Sequence, residues 1–184
     1  MDIDIDFADR QDALAVFKNT SAKLKKGKHN TGVYFHRVPT DPFTGLCTVE
    51  HTKADEAGFF KLDILNVSIY KEVKDNNHLN KLMEKEPIWQ LLEHDEFNKN
   101  VFHLSGHGEL LRQLKPSSVE QLAATLAIIR PAKRHLQTQT WSHIMDNVWT
   151  KPQDGSYYFK KAHAISYAMA VIVHINLICE ELGY

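Results

Sequence analysis

The sequence has little of what would mark a secreted, membrane-bound or strongly DNA-attracting protein. Among its 184 residues there are only 2 cysteines, Cys47 and Cys179, far apart and in no Cys-x-x-Cys arrangement. That excludes a disulfide framework, argues against a thiolate zinc site, and fits a reducing, cytoplasmic compartment. Net charge is also nearly absent: 22 Lys and Arg stand against 23 Asp and Glu, so no general basic charge announces nucleic acid and any basic surface is local. The N-terminus is acidic, without the basic-then-apolar pattern of a signal peptide. Long apolar runs are missing as well. The most apolar stretch, AISYAMAVIVHINLIC, covers about 16 residues against the ~20 that span a bilayer, and it contains Ser166, His174 and Asn176. A buried helix and no membrane are expected. Internal repeats and low-complexity tracts are absent too.

What is present begins with an interior: 43% of the residues are hydrophobic, enough for one core, or one core with a helical appendage. The opening MDIDIDFADR then sets three carboxylates in strict alternation with isoleucine. In an extended strand, alternate side chains share a face, so Asp2, Asp4 and Asp6 lie on one side and Ile3, Ile5 and Phe7 on the other. Carboxylates spaced about 7 Å apart repel one another, and Asp is depleted from strands, so something must offset the cost. A divalent cation is the simplest answer; an acidic edge strand that resists aggregation is the plain alternative.

A second acid sits inside an apolar strand, GFFKLDIL, where Asp63 lies between Leu62 and Ile64 with Lys61 two residues before it. Burying an unpaired carboxylate costs several kcal/mol, so Asp63 is expected to be paired, protonated or metal-bound. Beside the first strand it would complete a carboxylate cluster of the kind that holds hard cations for phosphoryl transfer.

The rest of the N-terminal third reads as β-α-β-β-β. ADRQDALAVFKNTSAKLKK has helical spacing with acids first and lysines last, Gly27 stops it, and TGVYFHRV, LCTVEHT and GFFKLDIL are strand candidates. From Asn66 onward VSIYKEVKD, HLNKLMEK, PIWQLLEHDEF, GELLRQL and SVEQLAATLAIIRP show three-to-four-residue apolar spacing, with prolines at their ends. KPSSVEQL predicts a capped helix start, with Ser117 or Ser118 as N-cap and Glu120 or Gln121 completing a capping box. The expected architecture is α+β: a small mixed sheet over residues 1–66, followed by a mostly helical region over 67–184.

Five segments, in order, resemble the polymerase core of the C-family DNA polymerases, the bacterial DNA polymerase III alpha subunits. MDIDIDF matches that family's Asp-hydrophobic-Asp-hydrophobic-Asp-Phe palm strand, with Asp4 and Asp6 on its metal-binding pair. GKHNTGVYFHRVP matches its Gly-Lys-His segment before a strand. GFFKLDIL matches the Gly-x-x-Lys-x-Asp-x-Leu strand that holds the third carboxylate, Asp63. VFHLSGHGELLRQLKPSSVEQLAATLAIIRP is similar to the Val-Phe-Gln-Leu-Glu-Ser helix start, Leu-x-Pro turn and Arg-Pro segment of the fingers. YYFKKAHAISYAMAVIVHINLICEELGY is similar to the family's Lys-Ser-His helix.

The resemblance implies a nucleotidyltransferase-like palm with helical fingers, adding deoxynucleotides to a DNA 3′ end in replication. It implies Mg²⁺ or Mn²⁺ on Asp4, Asp6 and Asp63, and a DNA primer–template with deoxynucleoside triphosphates as partners. Lys28, His29, Lys61, Arg130, Lys161 and His163 would contact nucleotide or DNA phosphates, since ammonium and guanidinium groups suit those oxygens. His163 also reads as a satisfied core histidine. There are departures: the family's glycine-rich phosphate loop before the Asp strand is not among these residues, His103 stands at the family's Gln, Ser105 at its Glu, and RPAKRHLQ replaces Arg-Pro-Gly-Pro. They leave two other readings open. One is a non-catalytic module binding DNA or replisome proteins; the other is one half of a split polymerase with a complementing fragment.

Overall fold

The computed structural model describes residues 3–154 and 156–184. Asp2, the first acid of the alternation, lies outside them. The chain forms two compact units, the first ending at Lys71 and the second running from Glu72 to Tyr184.

The first unit is built on a mixed five-stranded sheet. Its strands are β1 (Ile3–Phe7), β2 (Thr20–Lys23), β3 (Lys28–Tyr34), β4 (Leu46–Glu50) and β5 (Leu62–Asn66), with helices α1 (Arg10–Val16) and α2 (His51–Glu56) in the connections. The strand order is β1-β5-β3-β2-β4. β1 runs parallel to β5, β3 lies antiparallel to both β5 and β2, and β2 runs parallel to β4. Asp9 caps α1, accepting from Gln11 N at 3.0 Å.

Three local expectations change. The helix predicted across ADRQDALAVFKNTSAKLKK stops at Val16, and Thr20–Lys23 is a strand. Asn19 explains the stop: its Nδ2 donates to Leu14 O and Phe17 O, both at 2.8 Å, taking carbonyls that further helical turns would have used. The following Thr20, Ser21 and Lys23 then have β3 to pair with, and Gly27 supplies the left-handed residue, φ 86°, of the tight β2–β3 turn. Next, β3 starts at Lys28 rather than Thr31, which draws the Gly-Lys-His segment into the sheet. Finally, LCTVEHT is extended only as far as Glu50, and α2 begins at His51.

The second unit is helical. It contains α3 (Asn76–Glu84), α4 (Asp95–Asn98), α5 (Gly108–Leu114), α6 (Val119–Ile128), α7 (Trp141–Asn147) and α8 (Lys161–Leu182), with 3₁₀ segments at Trp89–Glu93 and Pro131–Leu136. Ser118 is the cap of α6, accepting from Gln121 N at 3.2 Å, and the Gln121 side chain reaches back to Ser117 N at 2.8 Å. Helix α6 is buried almost all round and packs on α8 through Leu122, Ala123, Leu126, Ala164, Ala168, Val171, Ile172 and Ile175.

Helix α8 extends the apolar run to 22 residues, with a mean hydropathy of 1.7 in its most apolar window. Its length therefore matches that of a spanning helix, contrary to the expectation from the run alone. Of that window 56% is buried, and it contributes residues to the hydrophobic core of the second unit. Buried Asn176 donates to Leu82 O and Lys85 O, each at 2.8 Å, and so fastens the end of α3 to α8.

Candidate metal and phosphate site

In-register residues on neighbouring strands project to one face of a sheet. The β1–β5 pairing sets Asp4 opposite Asp63, Ile5 opposite Ile64 and Asp6 opposite Leu65. Asp4, Asp6 and Asp63 therefore share a face, while Ile5, Phe7, Leu62 and Ile64 form the other. That apolar face lines a groove of 770 Å³ together with Ala13, Val16, Phe17 and Phe35.

Like charge is felt along the acidic face. Asp6 presents surface to solvent, yet loss of water, and next the charge of Asp4, holds its carboxyl above the ordinary carboxylate range. Tyr70 lies within reach of the same charge: desolvation first, then Asp6, raises its phenol.

Asp63 is buried and well supported. Its Oδ2 accepts from Lys61 Nζ, and its Oδ1 accepts from Thr31 Oγ1 at 2.7 Å. Lys61, the residue that leads into β5, is as deeply buried as Asp63 within it, and the two opposite charges, two residues apart, pair with each other. His29 stands beside them with Nδ1 3.7 Å from Asp63 Oδ1. That nitrogen accepts instead from Gly32 N at 2.9 Å and Thr31 N at 3.3 Å, which fixes the ring and puts its proton on Nε2. Gly32, opposite Asp63 on β3, makes the cluster possible, since a Cβ there would lie 2.7 Å from Lys61 Cδ and 3.0 Å from His29 Nδ1.

The structure thus draws Asp4, Asp6, Asp63 and His29 onto adjacent strands of one sheet, with Lys61 just before β5. Lys28 is exposed at the start of β3, paired across the turn with Lys23, a like-charge neighbour that favours solvation of both. Arg130, Lys161 and His163 belong to the second unit. Arg130 precedes the Pro131–Leu136 turn with its guanidinium carbon 5.4 Å from the centre of the Phe159 ring. Lys161 is the exposed first residue of α8, and His163 is half-buried in its first turn.

Thr31 and Gly32 were missed as site residues, although they directly follow the Gly-Lys-His segment; a polar hydroxyl and a side-chain-free position at the mouth of that motif were the available signals. Among the described residues no three His, Cys, Asp or Glu side chains converge as a ready-made metal cage. As it stands, Lys61 supplies the positive charge that Asp63 requires, and the repulsion between Asp4 and Asp6 is what a cation would relieve. No protein-family model, curated protein or solved structure matches this chain.

Proposed function

We propose that the chain is a reduced, C-family-like nucleotidyltransferase that adds deoxynucleotides to a DNA 3′ end. The observation that carries the reading is the placement of Asp4, Asp6 and Asp63 on one face of two parallel neighbouring strands. Asp4 and Asp6 would hold Mg²⁺ or Mn²⁺, with Asp63 joining as Lys61 turns from the carboxylate to a phosphate oxygen. When bound, such ions supply activation of the attacking hydroxyl and neutralisation of the leaving pyrophosphate. The chain's own residues bind and orient. Lys61 offers a compact ammonium to an incoming phosphate, Thr31 keeps Asp63 in place, and His29 presents its Nε2 proton as a donor. Lys28, Arg130, Lys161 and His163 are the remaining phosphate contacts of this reading.

A second reading, a binding module or split half that docks on another protein, is favoured by the Lys61–Asp63 pair, which satisfies the third carboxylate without metal, and by the apolar groove on the opposite face. Extension of a labelled primer–template with Mg²⁺ or Mn²⁺ and the four deoxynucleotides separates the two. Catalysis requires extension by the native chain and its loss in Asp4→Asn and Asp6→Asn variants that keep their fold. No extension from a folded native chain supports the binding reading.

A further inference from the structure

The second unit contains a cavity built around Arg130, one of the phosphate contacts of the reading above. It has a volume of 230 Å³ and is lined by His103, Ser105, His107, Leu126, Ile129 and Arg130. Every ionisable group in that lining is a base, and no carboxylate is among them. Arg130 makes no ion pair with a carboxylate among the described residues; its guanidinium leans over the Phe159 ring, leaving its edge donors for a ligand. From the neighbouring turn the charge of Arg134 also bears on His107, while Arg134 Nε is tied to Ile129 O at 3.2 Å.

His103 is held with unusual care for a residue at a surface. Its backbone is left-handed, φ 60°, which costs a non-glycine residue about 1 kcal/mol or more. Its ring packs against the stacked pair Phe102 and Tyr167, with centroids 4.0 Å and 5.0 Å away. Such strain is kept where the surroundings over-determine it, and functional sites are where it collects. A small, partly enclosed recess with a guanidinium, two imidazoles and a hydroxyl, and no carboxylate among its described lining residues, has the composition of an oxyanion site.

We propose that this cavity binds a phosphomonoester or pyrophosphate oxyanion, with Arg130 as the permanent cation and Ser105, His103 and His107 as the completing donors. Leu126 and Ile129 give it an apolar wall that strengthens those contacts by excluding water. The inference deepens the reading above, in which Arg130 is already a phosphate contact, and anion binding at this cavity is measured without primer extension, so the two can fail separately. Its electrostatics supply a direction. Water loss, then Arg130, keeps His103 below the usual imidazole range; water loss, then Arg134 and Arg130, does the same to His107. A bound dianion reverses the cause, so binding raises both titrations and tightens as the pH falls.

The test is an NMR titration of the histidine rings of the full chain, with and without sulfate, a dianion whose charge is constant over the range, and then with inorganic pyrophosphate. Both anions are expected to raise the His103 and His107 midpoints by about half a pH unit or more, and the response should disappear in Arg130→Gln. Ser105→Asp, at an exposed position, is a second variant that should abolish it by placing a carboxylate at the rim. Midpoints that do not move, or that move equally in folded Arg130→Gln or Ser105→Asp, overturn the site. A response to an oligodeoxynucleotide without terminal phosphate, and none to pyrophosphate, overturns the assignment to a monoester or pyrophosphate.

Discussion

Asp4 and Asp63 stand opposite each other across the parallel β1–β5 pair, although 59 positions of chain separate their numbers, 4 and 63. Asp63 is bonded to Lys61. That pair makes the site testable by residue, because removing a partner has opposite consequences for stability and for metal affinity.

Asp63→Asn removes the carboxylate that compensates buried Lys61. Breaking a buried pair by deleting one member costs about 3–5 kcal/mol, so a large drop in the unfolding midpoint is expected. Asp6→Asn, at a solvent-facing position with a raised carboxyl, should leave the midpoint unchanged or slightly higher. Equal losses in the two variants would contradict the arrangement of the site.

Lys61→Met should destabilise the fold by leaving Asp63 without its partner, yet increase the thermal stabilisation produced by Mn²⁺, because the carboxylate is now available to the ion. Thermal unfolding with and without the metal reads both effects. A Mn²⁺ response that shrinks would place metal binding, if any, away from Asp63.

Gly32→Ala forces a methyl group to within 2.7 Å of Lys61 Cδ, so either the strand or the lysine must shift. Overpacking of this kind costs about 1–3 kcal/mol. Urea unfolding measures it, and in a Lys61→Ala background, itself destabilised by the unpaired Asp63, Gly32→Ala should cost much less, since the clashing atom has gone.

Asn176→Ala deletes the amide that bonds to Leu82 O and Lys85 O inside the second unit. The buried carbonyl of Leu82 and the part-buried carbonyl of Lys85 lose their donor, and the expected cost is about 1–3 kcal/mol. Hydrogen exchange should locate the loosening at the C-terminal turn of α3. A loss spread evenly over the unit would show that Asn176 has no special hold on that helix.

The second unit should weaken in acid. His174 Nδ1 accepts from Phe102 N at 2.9 Å, and burial holds its ring below the ordinary value of 6.5, against the opposing pull of Glu72 and Glu181. A depressed imidazole means the folded state binds fewer protons than the unfolded state, so stability falls as the pH drops through the ordinary value and levels off below the folded one. His103 and His107 act in the same direction. Chemical unfolding at about pH 7.5 and about pH 5.5 should show the decline, with a shallower one in His174→Gln.

Sequence by itself determined the alternations. The period-two pattern of DIDIDF and the apolar run around Asp63 dictate strands, because successive side chains take opposite faces, and the spacing in SVEQLAATLAI and AISYAMAVIVHINLIC dictates helices. Ser118 was visible as a cap because its hydroxyl needs only neighbours three residues away. Tertiary structure decided what depends on distant partners. Thr20–Lys23 became a strand because β3 and β4 offered hydrogen bonds on both sides, outweighing a helical pattern that Asn19 had already interrupted. The state of Asp63 was likewise undecidable locally, since pairing, protonation and metal all satisfy a buried carboxylate. Its partnership with Lys61 and Thr31 depends on β3 bringing Gly32 and Thr31 alongside, and a sheet register is a long-range fact that no short stretch of chain contains.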